Sequence, residues 1–423
     1  MKIFKFGGAS LANAQCFRNT ANIIAQYLDE PLVVVVSAMG KTTNQLEELL
    51  STSRNGGDVL PIYNQIRDAH FLVLSELFPS VADAVYSEVE ALFFAMMHTF
   101  KLKDEDYDYH YDQMVGMGEM LSSTILSHYL SNQGVQNTWC DVRTCIATDS
   151  IFREGNVNWT VTERQIRQRI EPVVAHTPCV ITQGFIGMDD KKRMTTLGRE
   201  GSDYTAAIFA YCLQAKSMTI WKDVQGFLNA DPRFFDNPQK IDILSYNEAI
   251  ELAYYGASII HPKTIKPLQN KQIPLLVKSF NNPEASGTVI HNEEAIETSK
   301  LTYYICKPNQ VLFSIYPKDF SFIAEQNLSF ILFVFAENNM KINLMQNAAV
   351  SFTVCVDCNK QRIADLVETL SNKFDVRYNE HLELVTVRHY RNVDIKAMLG
   401  DATIFLEQRN RTTAQFVVRG FCK

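Results

Sequence analysis

Apolar positions along this chain alternate between two periods, and the alternation predicts its elements. Residues 2–6 form a short apolar run that ends in Gly7-Gly8, and Phe17, Ala21, Ile24, Ala25 and Leu28 then recur at helical spacing over 12–28. Asp29-Glu30-Pro31 stops that helix, and the aliphatic run at 32–36 predicts a strand buried on both faces. Residues 37–44 are small and polar and open a helix around Leu46, Leu49 and Leu50, with Thr43 or Asn44 as its N-cap. Residues 57–100 read as helical with one apolar stripe, 101–110 as a charged, tyrosine-rich loop, and 114–123 as leading into a further helix that ends near 130. Strands are predicted near 138–143, 179–187, 217–227 and 273–280, with helices over 161–170, 202–213 and 245–255 between them. Alternating strands and helices predict an α/β unit: an open, mostly parallel sheet sandwiched by helices, with ligands at the carboxyl ends of the strands.

The pattern changes at a polar seam over 291–300. Beyond it, strands at 311–316, 342–345, 351–357 and 374–378 and helices at 323–337 and 361–373 follow the order β-α-β-β-α-β of an α+β ferredoxin-like unit. Runs at 382–387, 402–406 and 412–418 predict a second, shortened copy. The expected domains are therefore 1–294 and 295–423.

Charge and composition narrow the function classes. The chain has 423 residues and a formal net charge of -7, with no lysine or arginine run, which argues against a nucleic-acid partner. No apolar run approaches the ~20 residues of a membrane span, and the N-terminus carries no signal-peptide pattern, so a cytoplasmic location is expected. The nine cysteines are scattered. Cys355 and Cys358 form a C-x-x-C that overlaps a predicted strand, and the thiols are expected to be reduced. The nine histidines form no zinc-type pair.

The polar loops carry the candidate chemistry. Gly7-Gly8 can turn backbone N–H groups toward an anion, and Lys5 adds a point charge beside them, giving a phosphate cradle. Glu119 follows Gly118 at a helix start, where it either favours the helix dipole or presents a carboxylate to a ligand amine. Arg199, between Gly198 and Gly201, can grip a carboxylate with two parallel bonds, and Ser202-Asp203 open the next helix, whose free N–H groups favour an anion. His261, before a proline, reads as structural.

Together these segments resemble the aspartate kinases of the amino acid kinase superfamily over nearly the full length. Residues 5–10 are similar to the family's K-F-G-G-T-S, 37–44 to its S-A-x-x-x-x-T-N, and 195–204 to its T-T-L-G-R-G-G-S-D-Y. Gly118-Glu119, Trp221-Lys222-Asp223, Asp231-Pro232-Arg233 and the 256–262 segment continue the series, and the tail resembles paired ACT domains. The resemblance implies phosphorylation of the side-chain carboxylate of L-aspartate by ATP, giving 4-phospho-L-aspartate on the route to lysine, threonine and methionine. It implies that Lys5 and Asp203 are catalytic. It places Thr43, Glu119, Phe185, Arg199 and Ser202 on aspartate, and Lys5, Gly7, Gly8, Ser37, Lys222, Asp223 and Arg233 on ATP. Mg²⁺ is expected with the ATP, without a dedicated ligand set, and a homodimer through the ACT domains. The chemistry suits these residues. A carboxylate nucleophile is already ionised at neutral pH, so positioning and charge neutralisation suffice.

The chain departs from the family pattern at several positions. Ala9 replaces a threonine, and Ser258 replaces a lysine whose charge Lys222 is expected to supply. Glu200 replaces a glycine and is expected to pair with Arg199. Asn343 and Ala348 stand where the family carries acidic effector contacts, implying weak or absent inhibition by lysine. The alternative reading is an inactive kinase-like protein that binds amino acids or nucleotides.

Overall fold

A computed structural model describes residues 1–257, 260–292, 301–319 and 321–421. The chain divides into two compact units, the first made of Met1–Phe227, Ile241–Ile250 and Ile259–Glu294, the second of Leu228–Lys240, Glu251–Ser258 and Ala295–Lys423. The split at 294/295 expected from composition thus differs from the contact pattern at two segments. Residues 228–240 join the second unit because their bonds are non-local: the Asn229 carbonyl accepts from the Tyr304 N–H at 2.8 Å, and its amide donates to the Thr302 carbonyl at 2.9 Å.

In chain order the first unit runs β1 (Lys2–Phe6), α1 (Ala14–Ala25), β2 (Leu32–Val36), α2 (Thr42–Arg54), α3 (Leu60–Leu77), α4 (Ala84–Thr99), α5 (Tyr107–Val115) and α6 (Met117–Asn132). It continues through β3 (Thr138–Cys140), α7 (Trp159–Val174), β4 (Cys179–Gln183), the hairpin β5 (Ile186–Met188) and β6 (Met194–Thr196), α8 (Gly201–Cys212) and β7 (Ser217–Lys222). The two-residue strands β8 (Phe227–Leu228) and β9 (Lys240–Ile241), which lie where the chain passes between the units, precede β10 (Ile243–Ser245), α9 (Tyr246–Tyr255, counted with the second unit from Glu251 on), α10 (Pro262–Lys271), β11 (Leu275–Ser279) and β12 (Thr288–His291). Eight strands form one sheet in the order β10-β12-β11-β7-β1-β2-β4-β3. Every pairing is parallel except β11 with β12. The all-aliphatic β2 is wholly buried, as a strand covered on both faces must be.

Register positions the chemistry. Phe6 pairs with Val36 and Trp221, and Val36 pairs with Gln183. The strands β1, β2, β4 and β7 therefore end level, and Gly7, Ser37, Gly184 and Lys222 lie at one edge of the sheet. This is the carboxyl edge at which parallel α/β sheets bind ligands.

Local chemistry moves some boundaries. The helix read over 57–100 breaks between α3 and α4, and the loop read over 101–110 ends early because the Asp106 side chain accepts the N–H groups of Asp108 and Tyr109 and caps α5. Neither Thr43 nor Asn44 caps α2, which starts at Thr42 without a side-chain cap bond.

The second unit holds β13 (Tyr303–Pro317), α11 (Glu325–Glu337), β14 (Ile342–Asn347), β15 (Phe352–Asp357), α12 (Lys360–Ser371), β16 (Phe374–Arg388), α13 (Ile395–Leu399), β17 (Thr403–Arg409) and β18 (Thr413–Arg419). Its six strands form one antiparallel sheet, β14-β15-β13-β16-β18-β17. The strands read separately at 374–378 and 382–387 are one 15-residue strand, paired with an equally long β13. The two copies thus share their central strands. The ladder between these strands shifts register around Gln310, and Asn309 and His381 take up the shift at φ 55° and 57°. Phe313, Phe335, Phe352 and Phe374 fill one core of this unit, and Val385, Val387, Phe416 and Val418 fill another. Among the described residues no helix is long and apolar enough to cross a membrane.

Trp221 anchors the middle of the first sheet. It is 1% exposed, stacks on Phe6 at 5.9 Å between ring centroids, and its indole N–H is buried without a partner. Trp221→Ala is predicted to cost about 3–5 kcal/mol in urea unfolding. Trp221→Phe should cost far less, because it also removes an orphaned donor worth about 1–3 kcal/mol.

Candidate functional site

The site is organised by one ion pair. Lys5 lies one residue before the end of β1, and Asp203 lies in the first turn of α8. The Lys5 Nζ is 2.7 Å from the Asp203 Oδ1, with the two side chains 11% and 5% exposed. Two charges so little hydrated hold each other, and removing either strands the other in a poorly solvated place. A Cβ on Gly7 would come within 3.4 Å of that Nζ, so glycine leaves the ammonium accessible from the backbone side. A Cβ on Gly8 would come within 2.6 Å of the Gly40 carbonyl oxygen and 2.9 Å of that of Ala38. The Gly40 N–H donates to the Gly8 carbonyl at 3.0 Å, which fuses the turn after β1 to the loop after β2. Ser37 starts that loop, and its carbonyl accepts from the Ser122 hydroxyl at 2.7 Å.

Helix α6 delivers Glu119 to the same loop. Gly118 permits the approach, since a Cβ there would lie 2.9 Å from the Cβ of Ala38. Glu119 is 2% exposed. Its Oε1 accepts the Ala38 N–H at 3.2 Å, and its buried Oε2 has no partner among the described residues. Burial pushes this carboxyl up to about 8, and the Ala38 N–H and the nearby Lys5 charge offset only part of that rise. A buried acceptor with an open lone pair suits a cationic ligand group. Glu119 lies in the first turn of α6, so the carboxylate sits at the helix N-terminus and also bonds to the loop at Ala38.

The end of β4 meets the start of α8 closely. A Cβ on Gly184 would lie 2.4 Å from the Cβ of Ser202. Phe185 follows at φ 70°, a left-handed conformation rare for an aromatic residue. Bonds on both sides hold it there: its N–H donates to the Thr205 hydroxyl at 3.0 Å, and its carbonyl accepts the Leu197 N–H at 2.8 Å. Such strain persists where the surroundings over-determine it. Arg199 is exposed on the loop between β6 and α8, and no hydrogen bond or ion pair joins its guanidinium to a described residue. The expected pairing of Glu200 with Arg199 is not formed. Glu200 instead accepts the His261 N–H at 2.8 Å, so the charge of Arg199 is not blunted from its neighbour. Thr43 is half-buried in the first turn of α2.

The structure thus brings together Lys5, Gly7, Gly8, Ser37, Glu119, Phe185, Ser202 and Asp203. Lys222 ends β7 at the same sheet edge, where its carbonyl accepts the Phe280 N–H at 2.9 Å, and the exposed Asp223 follows it. Arg233 belongs to the second unit, where it grips Asp231 at 2.6 Å and is 75% exposed. The compensation expected between Lys222 and Ser258 falls outside the described residues. Among the described residues no three His, Cys, Asp or Glu side chains gather as a cation site.

Sequence reasoning missed Asp112. Its carboxylate is fully buried and accepts bonds from two other segments, Thr196 and Arg153. The only signal was an acidic residue between Tyr111 and Gln113 in a stretch rich in tyrosine.

Comparison with known proteins identifies the family. Residues 1–279 match the amino acid kinase family. The chain is 32% identical over 382 residues to the chloroplastic aspartokinase 1 of Arabidopsis thaliana, covering 86% of this chain and 65% of the plant protein. It is 30% identical over 370 residues to the lysine-sensitive aspartokinase 3 of Escherichia coli strain K12, covering 84% of this chain and 78% of that protein. Its fold is similar to the crystal structure of E. coli aspartokinase III in complex with aspartate and ADP, with 26% identity and a TM-score of 0.84 over 99% of this chain and 96% of the other. Family match, sequence identity and shared fold agree with the motifs read from the sequence: the chain belongs to the amino acid kinase family, among its aspartokinases.

Proposed function

We propose that the protein transfers the γ-phosphoryl group of ATP to the side-chain carboxylate of L-aspartate, giving 4-phospho-L-aspartate. The observation that carries this reading is the buried Lys5–Asp203 pair, 2.7 Å apart beside Gly7, at the sheet edge that also holds the open oxygen of Glu119. Lys5 and the Gly7 and Gly8 backbone hold the phosphates, and Ser37, Lys222 and Asp223 meet the rest of the nucleotide from the ends of β2 and β7. Arg233 is assigned to the nucleotide by the resemblance alone.

Glu119 accepts the substrate ammonium, Arg199 clamps its α-carboxylate, and Thr43, Phe185 and Ser202 line its side chain. The attacking carboxylate needs no general base. Catalysis then consists of holding two anions in line and neutralising charge on the transferring group, which the ammonium of Lys5 does. Asp203 fixes that ammonium. Bound Mg²⁺ would supply further charge neutralisation on the phosphates. Exposed apolar side chains on the second unit, among them Phe322, Phe333 and Met345, support a homodimer formed through ACT-type domains.

With ATP, Mg²⁺ and L-aspartate, hydroxylamine is expected to trap an aspartyl hydroxamate, and absence of that product would refute the reading. Lys5→Met should lower kcat by about 10²–10³. It should also destabilise the fold by about 3–5 kcal/mol by stranding Asp203, a loss the double variant with Asp203→Asn recovers without recovering activity. Glu119 must ionise to accept an ammonium, and its carboxyl stands at about 8. The aspartate KM should therefore fall about tenfold per pH unit on rising toward 8 and level off above it, a trend that Glu119→Gln abolishes. In the ligand-free protein Glu119 holds its proton in the folded state and not in the unfolded state between 4.5 and about 8, so its contribution to stability falls as pH rises through that window, and Glu119→Gln removes that part of the slope.

A further inference from the structure

We infer that Asp112 is a positioning residue for the amino-acid half of this site, tying the helix pair that carries Glu119 to the strand that delivers Arg199. The inference rests on the function proposed above. Asp112 sits in α5, fully buried. Its Oδ1 accepts the Thr196 hydroxyl at 2.7 Å, and its Oδ2 accepts the Thr196 N–H at 2.8 Å. Both oxygens accept the Arg153 N–H, at 3.1 and 3.0 Å.

The neighbouring residue extends the grip. The Gln113 side chain donates to the Met194 carbonyl at 2.7 Å and accepts the Met194 N–H at 3.3 Å, so its amide acts as a strand partner for β6. Gly116, between α5 and α6, lies flush against the same hairpin, because a Cβ there would come within 2.8 Å of the side chains of Ile186 and Met194. Arg153 stands at φ 65°, and its side chain returns to α5, with its guanidinium 4.4 Å from the Tyr111 ring centre and 3.4 Å from the Asp108 carboxylate. The Gly155 N–H then donates to the Thr196 carbonyl at 2.8 Å.

Asp112 therefore fixes one end of a path whose other branches reach Glu119 through α6 and Arg199 through Leu197-Gly198. Helix α8 and Lys5 are held separately, by the Gly184–Ser202 packing and the pairing of β1. A lesion at Asp112 should fall on aspartate rather than on ATP. A carboxylate is required because every partner donates. An asparagine would turn an NH₂ group toward one of these donors.

The test measures KM for aspartate and for ATP in the full-length chain by hydroxamate formation, alongside thermal unfolding. Asp112→Asn should raise the aspartate KM on the order of tenfold or more, with the ATP KM within about twofold of wild type. Thr196→Val removes one hydroxyl bond and should shift the aspartate KM the same way by about threefold. If Asp112→Asn does not fold, Thr196→Val decides alone. An unchanged aspartate KM, or an ATP KM that rises in step with it, would overturn the inference. Wild-type protein that forms no hydroxamate with aspartate would instead sink the functional reading and this inference with it.

Discussion

A lysine and an aspartate held 2.7 Å apart with little access to water are the constraint from which the rest of this site follows. Neither charge is tolerable alone at that depth. The pair forces the penultimate residue of the central strand to face the first turn of α8, and that in turn requires β4 and α8 to pack closely, as Gly184 and Ser202 do. A site for two anionic substrates needs a positive centre that stays in place while they come and go. On the proposed function a buried pair would supply it, because the carboxylate immobilises the ammonium from the side away from the glycine turn.

Around this centre the first unit uses missing side chains as a building device. At Gly8 and Gly118 backbone or a neighbouring methyl group occupies the space a Cβ would take. These approaches draw the turn after β1, the loop after β2 and the start of α6 into one wall. Glu119 ends up buried in that wall with a single N–H donor, and its raised carboxyl is the cost of that burial. An arriving ammonium would repay it, so the same desolvation that makes Glu119 a poor anion in the free protein favours a cationic ligand group there.

Much of this was legible in the sequence because it resides in short, contiguous signals. The all-aliphatic β2 announced a strand covered on both faces, and Gly7-Gly8 announced the turn that ends the Lys5 strand. What was not legible depends on contacts distant in sequence. Asp112 accepts from Thr196, 84 residues away, and nothing in its own neighbourhood marks it. Segment 228–240 joins the second unit through Tyr304 and Thr302. The long strand β16 reads as two short ones because positions 379–381, Asn-Glu-His, are polar on a stretch that is largely exposed. Glu200 shows the limit of reasoning from adjacency, since its carboxylate turns away from Arg199 to a backbone N–H 61 residues on.

The second unit carries its own consequence of a single substitution. Asn343 stands where the family resemblance places an acidic effector contact, yet the position does not lack an ammonium. Lys307 places its Nζ 2.8 Å from the Asn343 Oδ1 and 3.3 Å from the Asp357 Oδ1. The Asn343 amide donates to Gln310 at 2.8 Å and to Asp357 at 2.9 Å. Burial pushes the Asp357 carboxyl up, but the bonds from Gln310 and Asn343 and the charge of Lys307 outweigh it and hold the group below its ordinary value. The stem of Lys307 lies against Gly256, where a Cβ would come within 2.7 Å of it. A free amine at this spot would have to displace one tethered to the chain, whose effective concentration is on the order of millimolar. The expected weak inhibition by lysine therefore has two separate physical supports: no carboxylate stands at positions 343 and 348, and the polar cluster around Asn343 and Asp357 already holds the Lys307 cation.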